Sequence, residues 1–383
     1  MRIGIDARFY GSVGKGLGRY TQKLIENLEQ ISAESELVSN PKVRNEYFIF
    51  LRKENFNEYQ PKVDNFHKVE ADFKWYTWDE QFKFPKLLNQ YNIDLVHFPH
   101  FNIPLFYRRK FIFTIHDLIL LHFPTIKNTM LNPVLYWIKF LAYKIVINSA
   151  IKRSQKIIAV SEFTKNDILK NYKISENKII TIYESCDNFC HYNPQDSHSI
   201  LDKYGIIKPY LLYVGNAYPH KNLEKLILVF SDIFKTENKL HLVLVGKEDY
   251  FYARLKKLVE KNKIVNVIFS GFIPDADLDV IYRESELYVF PSLYEGFGLP
   301  PLEAMAKGVP VACSDHPCMR EILEESALYF DATDEKNMLK AIRDLLKDEK
   351  LRNKYRKMGY RQIEKFSWME MARRTLDIYE FIK

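Results

Sequence analysis

Cysteine is scarce. Cys186, Cys190, Cys313 and Cys318 are the only four in 383 residues. None is spaced as CxxC or as a zinc-ribbon pair, so a disulfide-framed scaffold is excluded and four free thiols are expected. Long hydrophobic runs are also missing. No run of about eighteen consecutive apolar residues occurs, so no transmembrane helix is predicted. The N-terminus, "MRIGIDARFY", lacks the extended apolar segment and cleavage site of a signal peptide and reads as a first buried strand. No Ser-His-Asp or Cys-His nucleophile signature is visible. No acidic pair sits at a strand end to hold a divalent ion; "DADLD" (275–279) reads as a helix start after "GFIP". Negative charge is in mild deficit, with 49 Asp and Glu against 56 Lys and Arg, a net +7. That balance suits phosphate-bearing ligands, an anionic membrane surface, or solubility alone. Nucleic acid is not expected, because no recognition motif accompanies the charge.

What is present is a folded chain too long for one ordinary core: 47% hydrophobic and 27% charged residues exclude disorder. Apolar, β-rich runs alternate with helical patterns, which implies parallel sheets with crossover helices. In the first half "RIGIDA", "EYFIFL", "IDLVHF", "KFIFTIHD", "KIIAVS" and "KIITIYE" read as strands. The pattern pauses from Asp187 to Lys208, with a short helix "ILDKYGI" ended by Gly205. It resumes with "PYLLYVGN", "KLHLVLVG", "NVIFSGF", "ELYVFPS", "VPVACSD" and "ALYFDA". The expected fold class is therefore α/β, two tandem doubly wound domains facing across a cleft. Their bounds are 1–190 and 191–365, and a final helical segment, 366–383, crosses back to the first domain.

Four loops could carry chemistry. "SLYEGFGLPPLEAMAKG" (292–308) follows an apolar run. Gly296 and Gly298 allow positive φ and close approach to a ligand, Pro300 and Pro301 suit a helix start, and Gly308 its end. Helix-start amides attract anions. On the residues alone, Glu303 could instead complement a helix dipole and Glu295 could instead be a cap. In "YVGNAYPHKN" (213–222) Lys221 precedes a helix and could place a point charge on a diphosphate, or be a solvated lysine. "YGSVGKGLGRYT" (10–21) fails as a Walker A loop, because Leu17 stands where lysine is required, and fails as a GxGxxG fingerprint. It remains a glycine-rich phosphate or sugar loop. In "FTIHDLIL", His116 and Asp117 end a strand; His97 and His100 of "HFPHFN" end the one before. Three-residue histidine spacing without partner carboxylates is a weak metal signal, so these histidines are read as an acceptor-side wall and no metal site is assigned.

Together the motifs resemble the retaining glycosyltransferases of the two-Rossmann-domain (GT-B) architecture, family 4, group 1, nearest the bacterial polysaccharide mannosyltransferases. The resemblance covers nearly the whole chain, and its strongest element is Glu295 with seven residues before Glu303. It implies a hexosyl transfer, mannose first, from a nucleotide-diphosphate sugar to a glycan or lipid-linked glycan. GDP-mannose is the first expected donor and a UDP-sugar the second; a catalytically silent nucleotide-sugar-binding protein is the alternative from another class. No cofactor beyond the donor is implied. The implied catalytic group is His116 near the leaving phosphate, Lys221 on the diphosphate and Glu295 on the donor sugar, with no residue named as a base. Glu303 would bind the ribose hydroxyls. Gly14, Gly16, Gly215, Asn216, Phe272 and the stretch Gly296, Phe297, Gly298 and Leu299 would complete the donor side, with His97, His100 and Asp117 toward the acceptor. Many relatives carry arginine where this chain has Asn216, and some carry it where this chain has His220. The implied location is cytoplasmic and peripheral at the inner face of the membrane. The basic and aromatic tract from Arg108 to Lys156 fits this, with 133–149 as an amphipathic helix lying on a membrane or packed on the first sheet.

Overall fold

Short apolar runs with β-branched and aromatic residues pair side by side in this chain, and nearly every one is buried. The computed structural model describes residues 1–11, 15–37, 44–124, 132–186 and 197–383. Cys190 and Gly14 lie outside these. The described chain divides into two compact units. The first comprises Met1–Leu120, Asn132–Glu184 and Ser367–Lys383, and the second Leu121–Leu131 and Ser185–Phe366.

The first unit holds a seven-stranded parallel sheet in the order β3-β2-β1-β4-β5-β6-β7. Its strands are β1 (Arg2–Asp6), β2 (Glu46–Leu51), β3 (Phe66–Glu70), β4 (Leu95–Phe98), β5 (Phe111–Ile115), β6 (Ile157–Ala159) and β7 (Ile179–Thr181). The second holds a six-stranded sheet, β10-β9-β8-β11-β12-β13. These strands are β8 (Tyr210–Val214), β9 (His241–Val245), β10 (Val267–Gly271), β11 (Leu287–Phe290), β12 (Val311–Ser314) and β13 (Leu328–Phe330). In each sheet the strand order reverses once, between β1 and β4 and between β8 and β11. Loops leaving the two central strands diverge there, which is where such sheets accept ligands.

The fold departs from the sequence reading in several places. Strand β3, "FHKVE", was not foreseen, because it is an edge strand laced with half-exposed polar residues. The tract expected as an amphipathic helix over 133–149 is a helix from Pro133 to Arg153 with no polar face. By length and composition it is apolar enough to cross a bilayer, although no unbroken apolar run marks it.

The final helix, Trp368–Ile382, belongs to the first unit and packs on the helix Lys15–Leu37. A buried chain of hydrogen bonds joins it to the sheet. Tyr20 Oη lies 3.0 Å from Thr114 Oγ1, Thr114 Oγ1 3.0 Å from His97 Nε2, and His97 Nδ1 2.7 Å from Tyr379 Oη. His97 was expected on an acceptor-side wall. It is instead a core residue with both ring nitrogens occupied, and burial, with His116 nearby, holds its imidazole neutral at about 3. Tyr379→Phe removes one end of this chain and leaves a buried nitrogen without a partner. It is expected to cost about 1–3 kcal/mol in chemical denaturation; an unchanged midpoint would contradict the network.

Candidate functional site

The loop after β8 carries Gly215, Asn216 and Lys221, and the loop after β11 carries residues 291–298. The backbone fastens them together. Leu293 N–H donates to the His220 carbonyl at 2.7 Å, and the Ser292 hydroxyl donates to the same carbonyl at 3.3 Å. This join sets Lys221 Nζ 2.5 Å from Glu295 Oε1, with side chains only 14% and 11% exposed. An ion pair so withdrawn from water is strong, and either partner alone would be costly to keep charged. Gly215 is held by its N–H on the Val245 carbonyl (2.9 Å) and by the Tyr252 hydroxyl on its own carbonyl (2.8 Å). The Tyr213 hydroxyl pins the Asn216 carbonyl at 2.8 Å. His220 is buried, and burial first, then the Lys221 charge, pushes its imidazole down to about 4. Where some relatives of the expected family carry arginine, this loop therefore presents a neutral ring.

The glycines and prolines act as the sequence suggested, with one difference. Gly298 has φ +94, which calls for glycine, and opens the helix Leu299–Ala306; a Cβ there would also lie 2.4 Å from Met319 Cε and displace the end of that side chain. Gly308, at φ +73, follows the helix and donates to the Met305 carbonyl at 3.0 Å. Pro300 and Pro301 have no N–H, however, so two positions in the first turn of this helix offer no amide to an anion. That backbone is gripped from behind: the Phe297 ring is buried edge-on to Phe366 at 5.6 Å, and the Phe297 carbonyl accepts from the Cys318 thiol at 3.6 Å. The first helical turn contains no acid, so Glu303 is not a dipole partner; it lies one turn in, where Oε2 accepts from the Tyr282 hydroxyl at 3.2 Å. Glu295 does not cap the helix, since the cap is Gly298. Phe272 follows β10 with its ring 70% exposed, directly after Gly271 at φ +76.

In the first unit the glycine loop leads into the helix Lys15–Leu37. Gly16 is exposed, and a Cβ there would touch nothing within 4 Å. The glycine that sterics demand is Gly18, whose Cβ would fall 2.1 Å from the Gly11 carbonyl oxygen and 2.5 Å from that of Phe9. Across the strand reversal His100 packs on the Phe9 ring at 5.3 Å, its imidazole driven by burial to about 3. Asp117 accepts from the Ile119 N–H at 2.9 Å.

His116 is the charged member of this end of the sheet. Its Nδ1 lies 2.7 Å from Glu184 Oε1 and its Nε2 2.9 Å from the Pro99 carbonyl oxygen. Two acceptors are satisfied together only by two N–H donors, which makes the ring an imidazolium. Burial alone would push the imidazole down. The Glu184 hydrogen bond and charge, with Pro99 and Asp117, outweigh it, and the net shift is upward. Glu184 was not foreseen: it was read only as the end of the strand "KIITIYE".

Comparison with known proteins agrees with this layout. A model described as glycosyltransferase family 4 matches residues 14–187, and one described as glycosyl transferases group 1 matches residues 200–362. The chain is 28% identical over 299 residues to O-antigen chain mannosyltransferase B of Escherichia coli, covering 77% of this chain and 76% of that one. It is 26% identical over 343 residues to O-antigen chain mannosyltransferase RfbU of Salmonella typhimurium, covering 88% of each. Sucrose-phosphate synthase from Thermosynechococcus elongatus superposes with a TM-score of 0.75 at 18% identity, over 100% of this chain and 99% of that one, and shares its fold. The two family models take in every strand described above except β1, and the chain belongs to the group 1, family 4 glycosyltransferases of GT-B fold.

Proposed function

We propose that this enzyme transfers mannose from GDP-mannose to a saccharide chain, free or lipid-linked, with retention of configuration and no metal ion in the step. The observation that carries the reading is the Lys221–Glu295 pair at the strand reversal. When a donor binds, its diphosphate takes the Lys221 ammonium, and Glu295 is released to accept from the sugar hydroxyls. Charge on the departing diphosphate is then met by Lys221 and by loop amides from Gly296 to Leu299, in a site where such contacts are worth far more than in water. Glu303 accepts from the ribose hydroxyls beside Tyr282. His116, with both ring nitrogens donating, offers positive charge rather than a free basic nitrogen. The leaving phosphate itself helps to deprotonate the acceptor hydroxyl. Mannose is preferred because the two curated relatives described above are named as O-antigen chain mannosyltransferases.

Calorimetric titration with GDP-mannose and with UDP-glucose tests the donor. GDP-mannose is expected to bind the native enzyme more tightly, and Lys221→Ala to weaken it about 100-fold or more by stranding Glu295 and removing the diphosphate's cation. Equal affinity in the variant would remove Lys221 from the site, and preference for UDP-glucose would replace the donor. Glu295→Ala is expected to lower kcat about 100-fold while changing donor affinity less than about fivefold, read by nucleotide release with donor and acceptor. Loss of affinity without loss of turnover would contradict the role given to Glu295, and no release from the native enzyme would leave a silent binding protein.

The histidine gives a pH prediction. A group whose folded pKa is raised contributes stability that is complete below its unfolded value and is lost as pH rises through the folded value. Melting temperature and kcat/KM should therefore fall together as pH rises through the upshifted His116 range. Glu184→Gln should move that fall to lower pH, and a profile unmoved by Glu184→Gln would contradict the pairing.

A further inference from the structure

Large aromatic side chains stand open to solvent as one group on the first unit. Trp78 is 76% exposed, Phe82 48% and Phe106 48%. Trp78 and Phe82 lie one turn apart on the helix Trp78–Gln90, with ring centroids 6.0 Å apart and planes within 22°. Phe106 comes from the loop between β4 and β5, and its ring stacks on Phe82 at 4.7 Å and 18°. Single apolar side chains on a surface are ordinary, but a contiguous group assembled from two segments marks a contact surface.

The backbone beneath these rings is fixed. The Thr77 hydroxyl caps the helix by accepting from the Glu80 N–H at 3.3 Å, and donates to the Lys74 carbonyl at 2.7 Å. Glu80 is buried. Its Oε2 accepts from the Tyr76 N–H at 2.7 Å, and its Oε1 meets Arg8, in the loop after β1, at 2.8 Å. The Leu105 N–H donates to Gln81 Oε1 at 2.7 Å, which ties the loop bearing Phe106 to the helix. Rings on so settled a frame lose little freedom when a ligand covers them.

Position and chemistry select the ligand. The helix begins beyond the end of β3, so Trp78 lies at the same edge of the parallel sheet as the glycine loop after β1, His100 after β4 and His116 after β5. Trp75, just before the helix, stacks on Phe9 at 4.2 Å, and Phe9 packs on His100. Aromatic rings therefore follow the chain from the strand reversal out to Trp78. On the adjoining face of the helix Asp79 and Lys83 form an exposed pair at 2.9 Å. Open rings pack against the C–H faces of a pyranose, while a carboxylate accepts from its hydroxyls and an ammonium donates to them. A chain of sugars repeats both kinds of group along its length.

We propose that Trp78, Phe82 and Phe106 form an outlying saccharide-binding track that holds sugars of the acceptor remote from its reacting end. This rests on the reading that the acceptor is a saccharide chain, and it adds that the enzyme prefers long acceptors to short ones.

Titration calorimetry without donor, using α-linked mannobiose and mannopentaose, tests the track, and nucleotide release from GDP-mannose with the same two saccharides tests transfer. The native enzyme is expected to bind mannopentaose about tenfold or more tighter than mannobiose. Trp78→Ala and Phe106→Ala are each expected to weaken mannopentaose binding about tenfold and to raise its KM alike, with kcat and mannobiose binding changed by less than about twofold. Both side chains are exposed, so the thermal melt of each variant should match that of the native chain. Equal affinity for the two lengths, no binding of mannopentaose, or binding unmoved by both variants would overturn the track. So would flotation with lipid vesicles that both variants abolish while mannopentaose binding persists. Length-dependent binding lost in both variants supports the track even where no nucleotide is released, and the transfer reading alone then fails.

Discussion

A lysine and a glutamate held almost out of water, 2.5 Å apart, set the terms for the second unit. Neither residue is placed by its own segment alone. Lys221 follows β8, Glu295 follows β11, and these strands are neighbours only because the sheet reverses order between them. The His220 carbonyl, bonded by both Leu293 and Ser292, then fixes the distance. A charge this withdrawn needs a partner at all times. In the proposed reaction that requirement becomes the means of recognition: a ligand enters only by giving Lys221 a second anion at least as good as Glu295, and a diphosphate is such an anion.

The first unit solves a related problem with a different network. Fully buried Arg8 is bridged by Asp6 and Glu80, each at 2.8 Å, while the Asn102 amide donates to Glu80 at 2.6 Å. The Asn55 amide meanwhile donates to the carbonyls of Ala7, Arg8 and Tyr10. The loop after β1 is thus anchored by satisfied polar groups on every side, and Gly18 lets the following helix settle onto it. Networks of this kind hold one geometry because each member is costly to leave unpaired. Beside it stands the His116 imidazolium, kept by Glu184 and Pro99. With both nitrogens donating, the ring can supply charge but has no lone pair with which to act as a base.

Much of this was legible in the chain. All six strands of the second unit stand where "PYLLYVGN" through "ALYFDA" place them; the four inner ones are buried along nearly their whole length, which is why they are written as apolar runs. The edge strand β3 was not legible, because its polar residues follow from its position in the sheet and position is a tertiary fact. Glycine content marked the loop at 10–21, but only packing shows that Gly18 is required while Gly16 is open. Histidine at a strand end marked both His97 and His116. Which one turns into the core depends on Tyr379, 282 residues away, and which one becomes charged depends on Glu184, 68 residues away. The helix Pro133–Arg153 was located by composition, but its exposed apolar side follows from how little of it the sheet covers.

A co-crystal with a non-transferable GDP-mannose analogue tests the central claim most directly. The diphosphate is expected within hydrogen-bonding distance of Lys221 Nζ and of amides between Gly296 and Leu299, with the Glu295 carboxylate moved from lysine to sugar hydroxyls. A diphosphate bound elsewhere, or a Lys221–Glu295 pair left closed beside an occupied pocket, would contradict it.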